Sequence, residues 1–103
     1  MTIKPYPKYL ARQNRAMVHD LLMREWDPIG VRDVPQAQDE YDAYVSKAYV
    51  MVMHDGASIE QVADYLYTIE TEYMGLGKSA EAKDRARKVA VSLIAMKPRF
   101  AGQ

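Results

Sequence analysis

The chain has 103 residues, with 14 basic and 14 acidic side chains, two histidines and no cysteine. One domain is the expectation at this length; the missing cysteines exclude disulfides, thiol catalysis and thiolate-bound zinc, and two histidines leave little for a nitrogen-ligated metal. No run approaches the ~18 apolar residues a membrane span needs, and Met1-Thr2-Ile3-Lys4-Pro5-Tyr6-Pro7 lacks a leader's apolar core, so the chain reads as cytoplasmic with no membrane partner.

Zero net charge hides a segregation. Residues 1–25 carry five Lys/Arg against two Asp/Glu, residues 26–74 two against ten, and residues 75–103 seven against two, giving +3, −8 and +5. Either basic outer helices pair with an acidic middle inside one bundle, or the acidic face meets a basic partner.

In chain order, Lys4-Pro5-Tyr6-Pro7 predicts an extended arm over residues 1–7, because each proline restricts the residue before it. A first helix is expected from Lys8 to Glu25, with Leu10, Met17, Val18, Leu21 and Leu22 on one face and Arg12, Arg15 and Arg24 off it. A connector, Trp26–Gln38, comes next. Pro28 removes a donor and pushes Asp27 out of the α region, Gly30 permits a left-handed φ, and Trp26 should pin the loop to the core with its indole N–H paired.

For the second helix, Asp39 is the expected N-cap, with Asp42 three residues on. Tyr41, Tyr44, Val45, Ala48 and Val52, with Tyr49 and Met51, should face the core, and Gly56 should end the helix in a left-handed conformation. Ser58-Ile59-Glu60-Gln61 is a capping box opening a third helix. Its expected buried stripe is Ile59, Val62, Ala63, Leu66, Ile69 and Tyr73, leaving Glu60, Asp64, Glu70 and Glu72 at the surface. Met74-Gly75-Leu76-Gly77 is a stop signal, with Leu76 folding back on the helix end.

Ser79 should cap a fourth helix with Glu81 in its first turn. Ala82, Ala86, Val89, Ala90 and Leu93, with Ile94 or Met96, point inward; Pro98 ends the helix, and Phe100 tucks back the tail over residues 98–103. No convincing strand alternation, internal repeat or low-complexity segment is visible. The fold expectation is a small, single-domain, all-α bundle of about four helices with a structured Trp/Pro/Gly connector between the first two.

Chemistry-bearing patterns are sparse. Ser58 to Leu66 looks like the first helix of a helix-turn-helix, but the chain continues as Tyr67-Thr68-Ile69-Glu70-Thr71-Glu72, helical and acidic. Nucleic acid would have to meet the basic fourth helix through Lys83, Arg85, Arg87 and Lys88, so it is not the expected partner. Asp27, Asp33, Asp39, Glu40 and Asp42 match neither an EF-hand loop nor paired Glu-x-x-His motifs. There is no Gly-x-Ser-x-Gly, His19 and His54 have no sequence partner, and Gly75-Leu76-Gly77-Lys78-Ser79 lacks phosphate-loop spacing. No catalytic residue, metal or cofactor is therefore assigned, and an enzyme is not expected.

Seven methionines and eight tyrosines fit core filling or an interface patch. The candidate binding surface is Trp26, Asp27, Ile29, Asp39, Glu40, Asp42 and Tyr44, and the expected partner is a protein with a basic surface. An immunity-type inhibitor of a basic toxin is one concrete form. The alternatives are a small-ligand or metal-binding module under the Trp26 loop and nucleic-acid binding by the fourth helix; a homo-oligomer is compatible with either.

Trp26-Asp27-Pro28-Ile29-Gly30-Val31, with Asp39-Glu40-Tyr41-Asp42-x-Tyr44, Gly56-x-Ser58 and Met74-Gly75-Leu76 downstream, resembles a DUF1871-like family of small bacterial helical proteins. The resemblance covers about residues 20–96. It implies an all-α domain and no established activity.

Overall fold

The computed structural model describes residues 8–100; the expected arm over residues 1–7 and the last three residues of the tail lie outside them. Helix α1 spans Lys8–Leu21 and continues into a π-helical turn, Leu22–Trp26. α2 spans Asp42–Met53, and α3 spans Ile59–Thr68 and ends in a second π turn, Ile69–Tyr73. α4 spans Ala80–Ala95, and short 3-10 turns occupy Pro35–Ala37 and Lys97–Arg99. No strand occurs among the described residues. Successive helices pack as neighbours and α4 closes against α1 and its π turn, giving the expected all-α bundle of four helices.

The helices bury the stripes that their periodicity defines. Val18, Leu21 and Leu22 of the first helical segment meet Val45, Ala48 and Val52 of α2, Val62 and Leu66 of α3, and Val89, Ala90 and Leu93 of α4 in one core. Ala82, Ala86 and Ala90, four apart on α4, are all buried. Their small side chains let α3 and α4 approach closely, and this is the most extensive helix pairing in the bundle. Buried Asn14 donates from Nδ2 to the Tyr49 hydroxyl at 3.2 Å, tying α1 to α2. Phe100 is buried edge-on to Tyr49, with ring centroids 5.4 Å apart, so the tail does tuck back.

Local chemistry sets several helix ends as expected. Ser58 Oγ accepts from the Gln61 amide at 3.1 Å while Gln61 Oε1 accepts from the Ser58 amide at 2.8 Å, the reciprocal pair of a capping box. Ser79 Oγ accepts from the Ala82 amide at 3.0 Å. Gly56, with φ of 62°, supplies the left-handed turn after α2.

Other expectations fail. Asp39 does not cap α2: the residue before the helix is Tyr41, with no side-chain cap, and the Asp42 amide instead donates to the Asp39 carbonyl at 3.1 Å. The chain reaches α2 through tight turns, whose backbone does not aim a side-chain oxygen at the first helical amides. Leu76 is exposed; its amide, not its side chain, returns to the helix, donating to the Glu70 carbonyl at 3.1 Å. Tyr73 is 74% exposed and Glu70 only 2%, the reverse of expectation. A π turn advances each residue by roughly 80° instead of 100°, so over the four steps from Ile69 to Tyr73 the face has rotated by about 80° away from the α-helical stripe.

The two π turns also reveal a local likeness the periodicity did not show. Glu25-Trp26 and Ile29-Gly30 after α1 correspond to Glu72-Tyr73 and Leu76-Gly77 after α3. The helix-closing bonds match too: the Asp27 amide donates to the Leu22 carbonyl at 2.8 Å, and the Met74 amide to the Ile69 carbonyl at 2.9 Å.

Candidate functional site

The connector is built around Asp27. It takes a left-handed conformation, φ 33° and ψ 58°, which closes the π turn just before Pro28. Only 3% of its side chain is exposed, yet the carboxylate is well supplied with donors. Oδ1 accepts from the Val31 amide at 2.7 Å and the Tyr41 hydroxyl at 2.9 Å; Oδ2 accepts from the Arg32 amide at 3.2 Å and Arg32 Nε at 3.4 Å. Burial opposes its charge, but these donors outweigh burial and hold the carboxyl below the usual carboxylate range. The Tyr41 oxygen in turn accepts from the Ile29 amide at 3.2 Å. Burial raises the Tyr41 hydroxyl well above the ordinary phenol value, with Asp27 adding to the shift and the Ile29 amide opposing it.

Further bonds stitch the rest of the loop down. Gln38 Nε2 lies within 2.9–3.2 Å of the carbonyls of Val31, Arg32 and Val34. His19 Nε2 donates to the Gln38 carbonyl at 2.7 Å, and its Nδ1 faces Asp20 Oδ1 at 3.3 Å. Partial burial lowers the His19 pKa, but the Gln38 carbonyl and the Asp20 and Asp42 carboxylates more than offset this and raise it.

These contacts divide the candidate surface. Trp26, 2% exposed, lies in the core against Tyr41 at 5.2 Å and edge-on to Tyr44 at 6.3 Å and 88°. It therefore presents no contact surface, and its Nε1 has no hydrogen-bond partner among the described residues, contrary to the expected pairing. Asp27 is consumed by the connector. Ile29, 42% exposed, and the acids Asp39, Glu40 and Asp42 reach solvent. Asp42 lines a hollow toward α1 with Arg12, Arg15 and His19, whereas Tyr44 lines a groove on the other side, against α3. The acidic run and Tyr44 therefore do not converge.

That groove, of about 550 Å³, runs between α2 and α3. Ala43 and Tyr44 form one wall; Gln61, Asp64, Tyr65, Thr68, Ile69 and Tyr73 form the other. Ile69 is buried at its base, and Trp26 braces the Tyr44 ring from behind. The Tyr65 hydroxyl is pushed up to about 12, chiefly by burial and further by the neighbouring Tyr44 and Tyr73 hydroxyls. Asp64 is the one charged residue in the lining, and it makes no ion pair among the described residues. Tyr65 was invisible as a site residue because its position fits an ordinary helix flank. Tyr73 was misplaced in the core because the π turn carries no sequence mark that periodicity detects.

The opposite flank of α3 differs. Arg87 Nη1 meets Glu60 Oε1 at 2.8 Å, and Arg85 Nη2 meets the buried Glu70 Oε2 at 2.7 Å. Lys88 pairs with Asp84 at 3.0 Å within α4. Part of the charge segregation is thus neutralised inside the bundle, and part of the basic face of α4 is already paired. Glu70 Oε1 and Arg85 Nε have no hydrogen-bond partner among the described residues, so the pair uses only one of its two available bonds. Among the described residues, no group of three or more His, Asp or Glu is placed to hold a metal ion, and no helix is long and apolar enough to cross a membrane. No family model, curated protein or solved structure matches the chain, so the DUF1871-like resemblance rests on its quoted motifs alone.

Proposed function

We propose that this chain is a non-enzymatic protein-interaction module that receives a basic partner at the groove between α2 and α3. The observation that carries the proposal is Tyr73: an aromatic side chain 74% exposed at the mouth of the tyrosine groove, with no ring contact of its own among the described residues. Tyrosine is enriched in interfaces because a rigid apolar ring with one polar tip gives contact area at low entropic cost. Asp39, Glu40, Asp64 and Glu72 make no ion pairs among the described residues, so their field remains to steer a cationic partner. An immunity-type inhibitor of a basic toxin is one form such a module takes.

The test is retention on the immobilised full chain from a lysate of the native host at low salt. A specific protein should be retained by the native chain, eluted by salt, and lost with Tyr73→Ala. Retention that ignores Tyr73→Ala and charge reversal of Asp39, Glu40, Asp42 and Asp64, or no retention at all, sinks the proposal.

A further inference from the structure

We infer that the groove between α2 and α3 is a cation-recognition site, in which the rings of Tyr44, Tyr65 and Tyr73 and the carboxylate of Asp64 take a lysine or arginine side chain of the partner. The inference rests on the proposed interaction function and specifies the chemistry of its anchor.

The lining selects for charge sign. Three tyrosines line one trough, and the negative quadrupole of a phenol ring attracts a cation over its face, an attraction that strengthens as water is excluded. Asp64 adds a carboxylate that makes no ion pair among the described residues; it also borders the neighbouring hollow that holds Lys83 and Arg87, but the lining of this groove contributes no positive charge. At about 550 Å³ the groove falls within the ~300–1,000 Å³ span of ligand pockets. Part of the groove is held before binding: buried residues of α2 and α3 fix the two helices in the core, and Trp26 packs edge-on to Tyr44. The Tyr65 phenol, like any tyrosine, is neutral at physiological pH and can act as a donor as well as a ring.

The hollow on the other side of α3, about 430 Å³ and lined by Glu60, Asp64, Asp84, Lys83 and Arg87, carries both signs. Its charges answer one another, as the Glu60–Arg87 bond shows, and they select no ligand charge. The tyrosine groove instead combines an aromatic lining with the Asp64 carboxylate and has no basic residue in its lining.

The experiment is an NMR titration of the full chain with N-acetyl-lysine-methylamide, with N-acetyl-norleucine-methylamide as the uncharged control, at constant ionic strength and with the tyrosine ring signals observed. Saturable shifts at Tyr44, Tyr65 and Tyr73 should appear with the lysine probe and not with its control. Tyr73→Ala and Asp64→Asn should each weaken that binding about fivefold, as expected for one partly desolvated cation contact. Equal response to both probes, shifts confined to other residues, or indifference to both variants overturns the cation site. If the native-host partner is nonetheless lost with Tyr73→Ala, the interaction reading survives and only its cationic anchor fails. A Tyr73-dependent dimer in sedimentation without lysine binding assigns the groove to a second copy of the chain and likewise overturns the inference.

Discussion

The two π turns share a local pattern and end in opposite environments. Trp26 is 2% exposed, while Tyr73, at the corresponding place, is 74% exposed. The two differ in the length of the connector beyond each turn. After Gly30 the chain runs on to Tyr41, long enough to fold over, and Tyr41 packs on Trp26 while its hydroxyl bonds Asp27. After Gly77 only Lys78 and Ser79 precede α4, so no segment returns to cover Tyr73. An aromatic residue at a helix end is thus made core or surface by the length of chain available to seal it.

The buried turn should carry stability and the open one binding. Trp26→Ala is expected to cost ~3–5 kcal/mol, in line with large aromatic deletions from cores, whereas Tyr73→Ala should stay within about 0.5 kcal/mol. Urea denaturation of both variants measures this directly; comparable losses would erase the distinction between the turns.

A second contrast lies three positions before each aromatic residue, where buried Met23 occupies the first turn and buried Glu70 the second. Glu70→Ala should cost about 2 kcal/mol, less than breaking a fully buried pair, because Arg85 is 38% exposed and can regain water. Glu70→Met, which copies the first turn, should recover most of that loss by filling the space with apolar atoms. Should Glu70→Met prove as unstable as Glu70→Ala, the two sites are not equivalent in shape.

A further contrast concerns the polar staple that only the first turn has. Tyr41→Phe should cost about 1–2 kcal/mol, since it leaves the Ile29 amide and one Asp27 bond unmade while keeping the ring. The folded-state pKa of Asp27 is depressed from 3.8, so its contribution is present above the unfolded value and lost as pH falls through the lower, folded value. Tyr41→Phe should therefore shrink the loss of stability between about pH 5 and that folded value. An unchanged acid limb in a pH series of denaturation midpoints would show that Tyr41 does not support the Asp27 charge.

Much of the fold was legible because it depends on neighbours in the chain. Ser58 with Gln61, Ser79 with Ala82, and Gly56 each act over a few residues, and each behaves as its local pattern implies. Asp39 was misleading for the same reason: its spacing suits a cap, but Gln38 and Asp27 fold the connector into turns that give it no cap geometry. The candidate site was only partly legible. Tyr44 belongs to the groove, while Tyr65 and Tyr73 join it from another helix, and Trp26 and Asp27 withdraw into the scaffold.

By itself, the sequence determined the four helices, their capping signals and the existence of a Trp26 connector, because periodicity and backbone preference act locally. The tertiary structure alone decided that Asp27 meets Tyr41 across 14 residues, that Glu70 is buried with Arg85, and that Tyr73 faces water beside Tyr44 and Tyr65. Those outcomes depend on the rotation of a π turn and on which segment is long enough to cover which ring, and both are set by packing between elements.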